Sequence, residues 1–167
     1  AAREGYVSRF HRVASERDGV SYGLRNFGVT GESSGTLIRA GQLDEAVAFI
    51  EANDVAYVTI NIGANDLLGH LGSDDCSSSI TTPACQQRLL PALDSYRANL
   101  ERILETLRDA AGAETPILVL ATYNPFSLGF GGLSLEAASD DATIQLNGVA
   151  SEVAAEFDVI VADGFTP

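Results

Sequence analysis

Short runs rich in Val, Ile and Tyr alternate along this chain with longer stretches whose apolar residues recur every three or four positions. That alternation limits the fold more than any other feature. Residues 55–62, 116–120 and 158–162 read as buried strands, and a further short strand is expected near 22–29. Tyr6, Phe10 and Val13 mark a helix over 4–16, and Leu43, Ala46, Val47 and Ile50 share one face of a second. Asp44 and Glu45 sit near the start of that second helix, where negative charge is favourable. The longest helix is expected over 84–111, striped by Leu93, Tyr96, Leu100, Ile103, Leu104 and Leu107 and stopped by Gly112. Pro91 predicts a kink or a separate short helix at its start. A glycine-rich loop, 129–132, leads to a last helix with Leu146, Val149, Val153 and Phe157 in register. Parallel strands cannot be joined by tight turns, so strands separated by helices form strand–helix–strand crossovers. The prediction is one α/β domain over 1–167, a three-layer α/β/α sandwich with a parallel sheet. Ligands of such sheets bind beyond the carboxyl ends of the strands, so function is expected in the loops that follow them.

Composition narrows the partners. A net charge of −13 argues against nucleic acid and against docking on an anionic membrane. No apolar run reaches the roughly 18 residues that a spanning helix needs. Asp140 and Asp141 read as a solvated helix face, and no metal-ligand spacing appears, so neither metal nor cofactor is expected. Cys76 and Cys85 flank a polar, loop-like segment, which favours a disulfide over two free thiols and hence a secreted or cell-surface protein. The chain contains no methionine and stops abruptly after a strand-like run, both of which predict a fragment.

Three loops follow the strands: 26–35, 61–68 and 121–125. The first two carry Asn26-x-Gly28-x-x-Gly31 and Gly63-x-Asn65-Asp66. Glycine lets a backbone N–H approach a ligand without an intervening Cβ, and asparagine offers a donor that stays neutral at any working pH. Aimed at one point, two such donors form an oxyanion hole. Gly, Asn and Asp are also ordinary turn formers, and on composition alone that reading competes.

The two motifs, in this order and each after an expected strand, resemble the second and third sequence blocks of the SGNH (GDSL-like) hydrolases. The resemblance runs from about Tyr6 to Asp163. It implies a flavodoxin-like fold of the SGNH type, truncated at both ends, and ester hydrolysis through a covalent serine intermediate. Carried over by position, the Gly31 N–H and the Asn65 side chain are the oxyanion donors. Gly28 serves the turn, Gly63 a close backbone approach, and Asp66 the loop's own hydrogen bonding. The family's Gly-Asp-Ser nucleophile block and its Asp-x-x-His block are both absent from these residues. The resemblance places them in N- and C-terminal segments of the same protein. The substrate it implies is a small-molecule ester: a lipid, a simple ester or an acylated carbohydrate.

Gly31-Glu32-Ser33-Ser34-Gly35 also fits the G-x-S-x-G nucleophile elbow of α/β-hydrolases, which would make Ser33 the nucleophile. Against it, the only downstream histidine is His70, and the elbow leaves Gly63-x-Asn65-Asp66 without a role. The plainer reading has Ser33 and Ser34 hydrogen-bonding the start of a helix. His11 is expected to face solvent, and His70 to border the site or pack in its loop. Tyr123 and Asn124 end the third expected strand and are candidates to line a substrate pocket. A non-catalytic binding module on a hydrolase scaffold remains the alternative to an enzyme.

Overall fold

The structure is a computed structural model and describes residues 5–71, 73–76, 79–124 and 133–163. Helices α1 (Tyr6–Asp18), α2 (Ser34–Arg39) and α3 (Gln42–Ala52) precede strand β1 (Val58–Ile60). Helix α4 (Ala64–Leu71), a single 3-10 turn (Asp74–Cys76) and helix α5 (Pro83–Ala111) lead to β2 (Ile117–Leu120). Helix α6 (Leu133–Glu156) and β3 (Ile160–Ala162) follow. The strands form one parallel sheet in the order β1-β2-β3, with Val58 opposite Ile117 and Leu118 opposite Ile160. Each step across the sheet is made by helix, as parallel pairing demands. The expected α/β fold is therefore present.

Helix α5 organises the core. Thr82 caps it, its Oγ1 accepting from the Cys85 N–H at 3.2 Å, and Pro83 occupies the first turn, where its missing donor is harmless. All six expected stripe residues are buried, on a helix that packs against α2, α3, α4 and α6. The helix runs unbroken through Pro91, which lies on its exposed side, so the separate helix expected there does not form. Ile117 and Val119 of β2 are fully buried, whereas Leu118 and Leu120 on its other face are only partly covered. Among the described residues, the two faces of the sheet are thus unequally covered.

Several local expectations change. Residues 22–29 are not a strand but irregular backbone, because none of the described residues forms a ladder with them. The strand expected over 55–62 shrinks to Val58–Ile60. Val13 is exposed rather than part of a buried stripe, and Ala14 is the buried residue of α1. The loop expected over 61–68 gives way to α4 at Ala64, where Leu67 and Leu71 bury one helical face. Gly129–Gly132 lies outside the described residues.

Cys76 and Cys85 are bridged, with Cα atoms 4.7 Å apart, so the expected disulfide is present. Its setting differs from expectation: both cysteines are 0% exposed and belong to the main core, tying the 3-10 turn to the first turn of α5. In the chain-entropy model, closing so short a loop contributes about 2.7 kcal/mol. The Cys76→Ala/Cys85→Ala double variant is expected to melt about 5–11 °C lower. Equal melting temperatures for variant and parent would show that the bridge contributes nothing.

Candidate active site

The carboxyl ends of β1 and β2 are tied together where the site forms. Asn61 follows β1, and its Nδ2 donates to the Leu120 carbonyl at 3.0 Å. The next peptide is anchored from below: the Tyr96 hydroxyl donates to the Ile62 carbonyl at 3.2 Å. Gly63 then turns with φ +123°, and a Cβ added there would lie 2.7 Å from the Tyr96 ring. The close backbone approach expected of Gly63 is therefore real, but its partner is a core tyrosine. Burial and the nearby Asp66 charge push the Tyr96 phenol well above its ordinary pKa, so it stays a neutral donor.

This turn delivers Asn65 and Asp66 into the first turn of α4. The exposed Asn65 carboxamide donates to the Glu32 carbonyl at 2.8 Å, reaching the loop that carries Gly31. The sequence expectation that the Asp66 side chain serves its own loop is not met. Asp66 Oδ2 accepts the Ser34 N–H at 2.9 Å and its Oδ1 accepts the Ser34 hydroxyl at 2.5 Å. Asn99 of α5 donates to the same hydroxyl at 3.0 Å. Gly31 has φ +82° and is exposed, and an added Cβ would meet no atom within 4 Å. Gly28 serves its turn, its N–H donating to the Asn26 side chain at 2.9 Å.

Ser33 is the N-cap of α2. The Thr36 N–H donates to its Oγ, and the Ser33 N–H donates to Thr36 Oγ1 at 2.9 Å. Among the described residues no strand precedes Ser33, so the strand–turn–helix context of an elbow is missing there. Ser34, read from sequence as a partner of the helix start, turns inward to Asp66 instead. His11 is not solvent-facing: it is half-buried, with Nε2 2.8 Å from the Tyr22 carbonyl. His70 is half-buried in the last turn of α4.

The end of β2 holds the other candidates. Tyr123 is 63% exposed. Asn124 is buried, its amide donating to Ser139 Oγ at 2.8 Å and to Asp140 at 2.6 Å, so Asp140 is not the solvated residue expected. Asn147, not singled out from sequence, pairs with both backbone groups of Thr122 at 2.9 Å and fixes how the chain leaves the sheet.

A groove of about 790 Å³ borders β1, and no residue of β2 lines it. Apolar side chains such as Phe10, Phe49, Ile50 and Ile60 line it together with Asn61 and Asn65. Neither Tyr123 nor Asn124 lines it. Tyr57 closes part of its wall by packing edge-on against Phe10 and Tyr22 and donating to Asp18 at 2.6 Å. The Arg17 guanidinium and the Tyr57 hydroxyl hold the Asp18 carboxyl at a pKa of about 2.

The sequence profile of the GDSL-like lipase/acylhydrolase family matches residues 1–167, and the chain belongs to that family. A solved structure of a serine-to-alanine mutant of the esterase AlinE4 has a similar fold, with a TM-score of 0.57 at 20% identity. That match covers 97% of this chain and 66% of the esterase, so the chain spans just under two thirds of its neighbour's length. No curated protein is significantly similar to the chain.

Proposed function

We propose that this chain supplies the oxyanion-binding portion of a serine ester hydrolase that works through an acyl-enzyme intermediate. The observation that carries the reading is the Asn65 carboxamide docked on the residue next to Gly31, beyond the end of β1, in a member of the GDSL-like family. An asparagine Nδ2 has two hydrogens. The one bonded to Glu32 orients the group, and the other is available to a developing oxyanion beside the Gly31 N–H. In the reaction, a serine oxygen bonds to the acyl carbon while a histidine takes its proton and later returns it to the departing alcohol. Water then repeats the attack on the acyl-enzyme and restores the serine.

Segments of the same protein outside these residues provide the serine and the histidine. The groove supports this, because β1 has no strand on its outer side among the described residues. Unpaired backbone groups beside an apolar channel are a seat for one more strand. The substrate is a small-molecule ester, whether lipid, simple ester or acylated carbohydrate. A disulfide and an acidic surface suit a secreted or cell-surface enzyme.

Treating the full-length protein with a serine-directed fluorophosphonate tests the reading. Labelling of one serine outside residues 1–167 is expected. Labelling at Ser33 would establish the elbow in its place, and a failure to label would leave a binding module.

A further inference from the structure

We propose that Asp66 is a positioning residue that sets where the Asn65 carboxamide points, an inference that rests on the oxyanion reading of Asn65. Neighbours in the first turn of a helix are separated by about 100° around its axis. Fixing one of them therefore fixes the azimuth of the other. Asp66 is fixed by two bonds to Ser34, and Asn65 by one to Glu32, so adjacent side chains of α4 grip residues 32 and 34 on either side of the α2 cap. The grip is stiff for three reasons. A carboxylate makes stronger hydrogen bonds than a neutral acceptor. Ser34 is 0% exposed, so water does not compete for its hydroxyl. That hydroxyl donates to Asp66 and accepts from Asn99, so any other rotamer would give up both bonds or replace them.

Asn99 and Tyr96 lie three residues apart on α5, on one helical face. Tyr96 seats the turn that precedes Asn65, and Asn99 seats Ser34. One rigid helix therefore references both oxyanion-bearing loops, and Asp66 is the strut between them. A first-turn acid needed only for the helix dipole would require no partner on another loop. Asp66 instead spends both oxygens on a residue 32 positions away.

The test uses the full-length protein and its Asp66→Ala, Asp66→Asn, Asn65→Ala and Asp66→Ala/Asn65→Ala variants. On p-nitrophenyl acetate, Asp66→Ala is expected to lower kcat about 10- to 100-fold with KM changed less than about 2-fold. Asp66→Asn should recover part of the loss, since its carboxamide can still accept from the Ser34 N–H while the serine hydroxyl turns to accept. In the Asn65→Ala background, removing Asp66 should cost little more, because its effect passes through Asn65. The side-chain NH2 resonances of Asn65, assigned by their loss in Asn65→Ala, should move in Asp66→Ala toward those of a solvated amide. Ser34→Ala, which keeps the backbone donor and deletes only the hydroxyl, should move them less in the same direction, and covers the case that Asp66→Ala does not fold. Unmoved Asn65 resonances, or fully additive losses in kcat, overturn the proposal. If Asn65→Ala leaves kcat unchanged, the oxyanion reading fails, and the resonances alone decide whether Asp66 positions Asn65.

Discussion

In the full-length protein, Asn65→Ala is expected to lower kcat on p-nitrophenyl acetate by about 100-fold or more, the usual cost of removing one oxyanion donor. KM should change far less, since full negative charge appears on the acyl oxygen only as the tetrahedral state forms. The substitution isolates chemistry from folding. Asn65 is exposed and makes a single side-chain bond, to the Glu32 carbonyl, which water can satisfy when it is lost. Stability should fall by no more than about 1 kcal/mol. Asn65→Asp is expected to be worse than alanine, because a carboxylate would repel the charge that the amide stabilises. Steady-state kinetics alongside thermal melts separate the two effects, and an unchanged kcat at unchanged stability would remove Asn65 from the reaction.

Two positions away, Gly63→Ala should act on folding. At φ +123° a non-glycine residue is strained by about 1–3 kcal/mol. The new Cβ would also lie 2.7 Å from Cε2 and 2.8 Å from Cζ of Tyr96, a ring that is 1% exposed and has nowhere to go. Overpacking of this kind costs about 1–3 kcal/mol more. A total of about 4 kcal/mol corresponds to a Tm lower by about 8–16 °C in a chain of this size. Gly31→Ala is the control: its φ of +82° carries strain, but its Cβ would meet nothing, so only about 1–2 kcal/mol is at stake. Equal melting losses at the two glycines would mean that the tyrosine contact is not what Gly63 serves.

The sequence carried the architecture well where periodicity was strong. The α5 stripe, the β2 run and the face of α3 all appear in the structure because burial on one side of a long element leaves a repeated signature. It carried less where neighbours decide the outcome. Residues 22–29 contain Tyr, Phe and Val, yet a strand exists only as a partner in a ladder, and none of the described residues forms one with them. Asn65 and Asp66 look like turn formers, but an acid in the first turn of a helix is also favourable, and Leu67 and Leu71 make that helix worth burying. Cys76 and Cys85 pair as the polar segment between them suggested, while that same polarity concealed that the bridge lies in the core.

At the candidate site, the residue types were legible and the contacts were not. Gly63 stood out by its motif, but its partner Tyr96 was visible only as one more stripe residue of α5. The link from Asp66 to Ser34 and on to Asn99 joins three segments far apart in sequence, and hydrogen bonds of that kind leave no local pattern. Asn124 is a further case: its place at the end of β2 was legible, but the bonds of its amide to Ser139 and Asp140 on α6 were not.

The decisive measurement is a crystal structure of the full-length protein after reaction with a fluorophosphonate, whose tetrahedral phosphoryl group stands in for the acyl intermediate. Its non-bridging oxygen should lie about 3 Å from both the Gly31 nitrogen and Asn65 Nδ2. An adduct whose oxygen touches neither group, with the Asn65 amide still bonded only to the Glu32 carbonyl, would contradict the assignment.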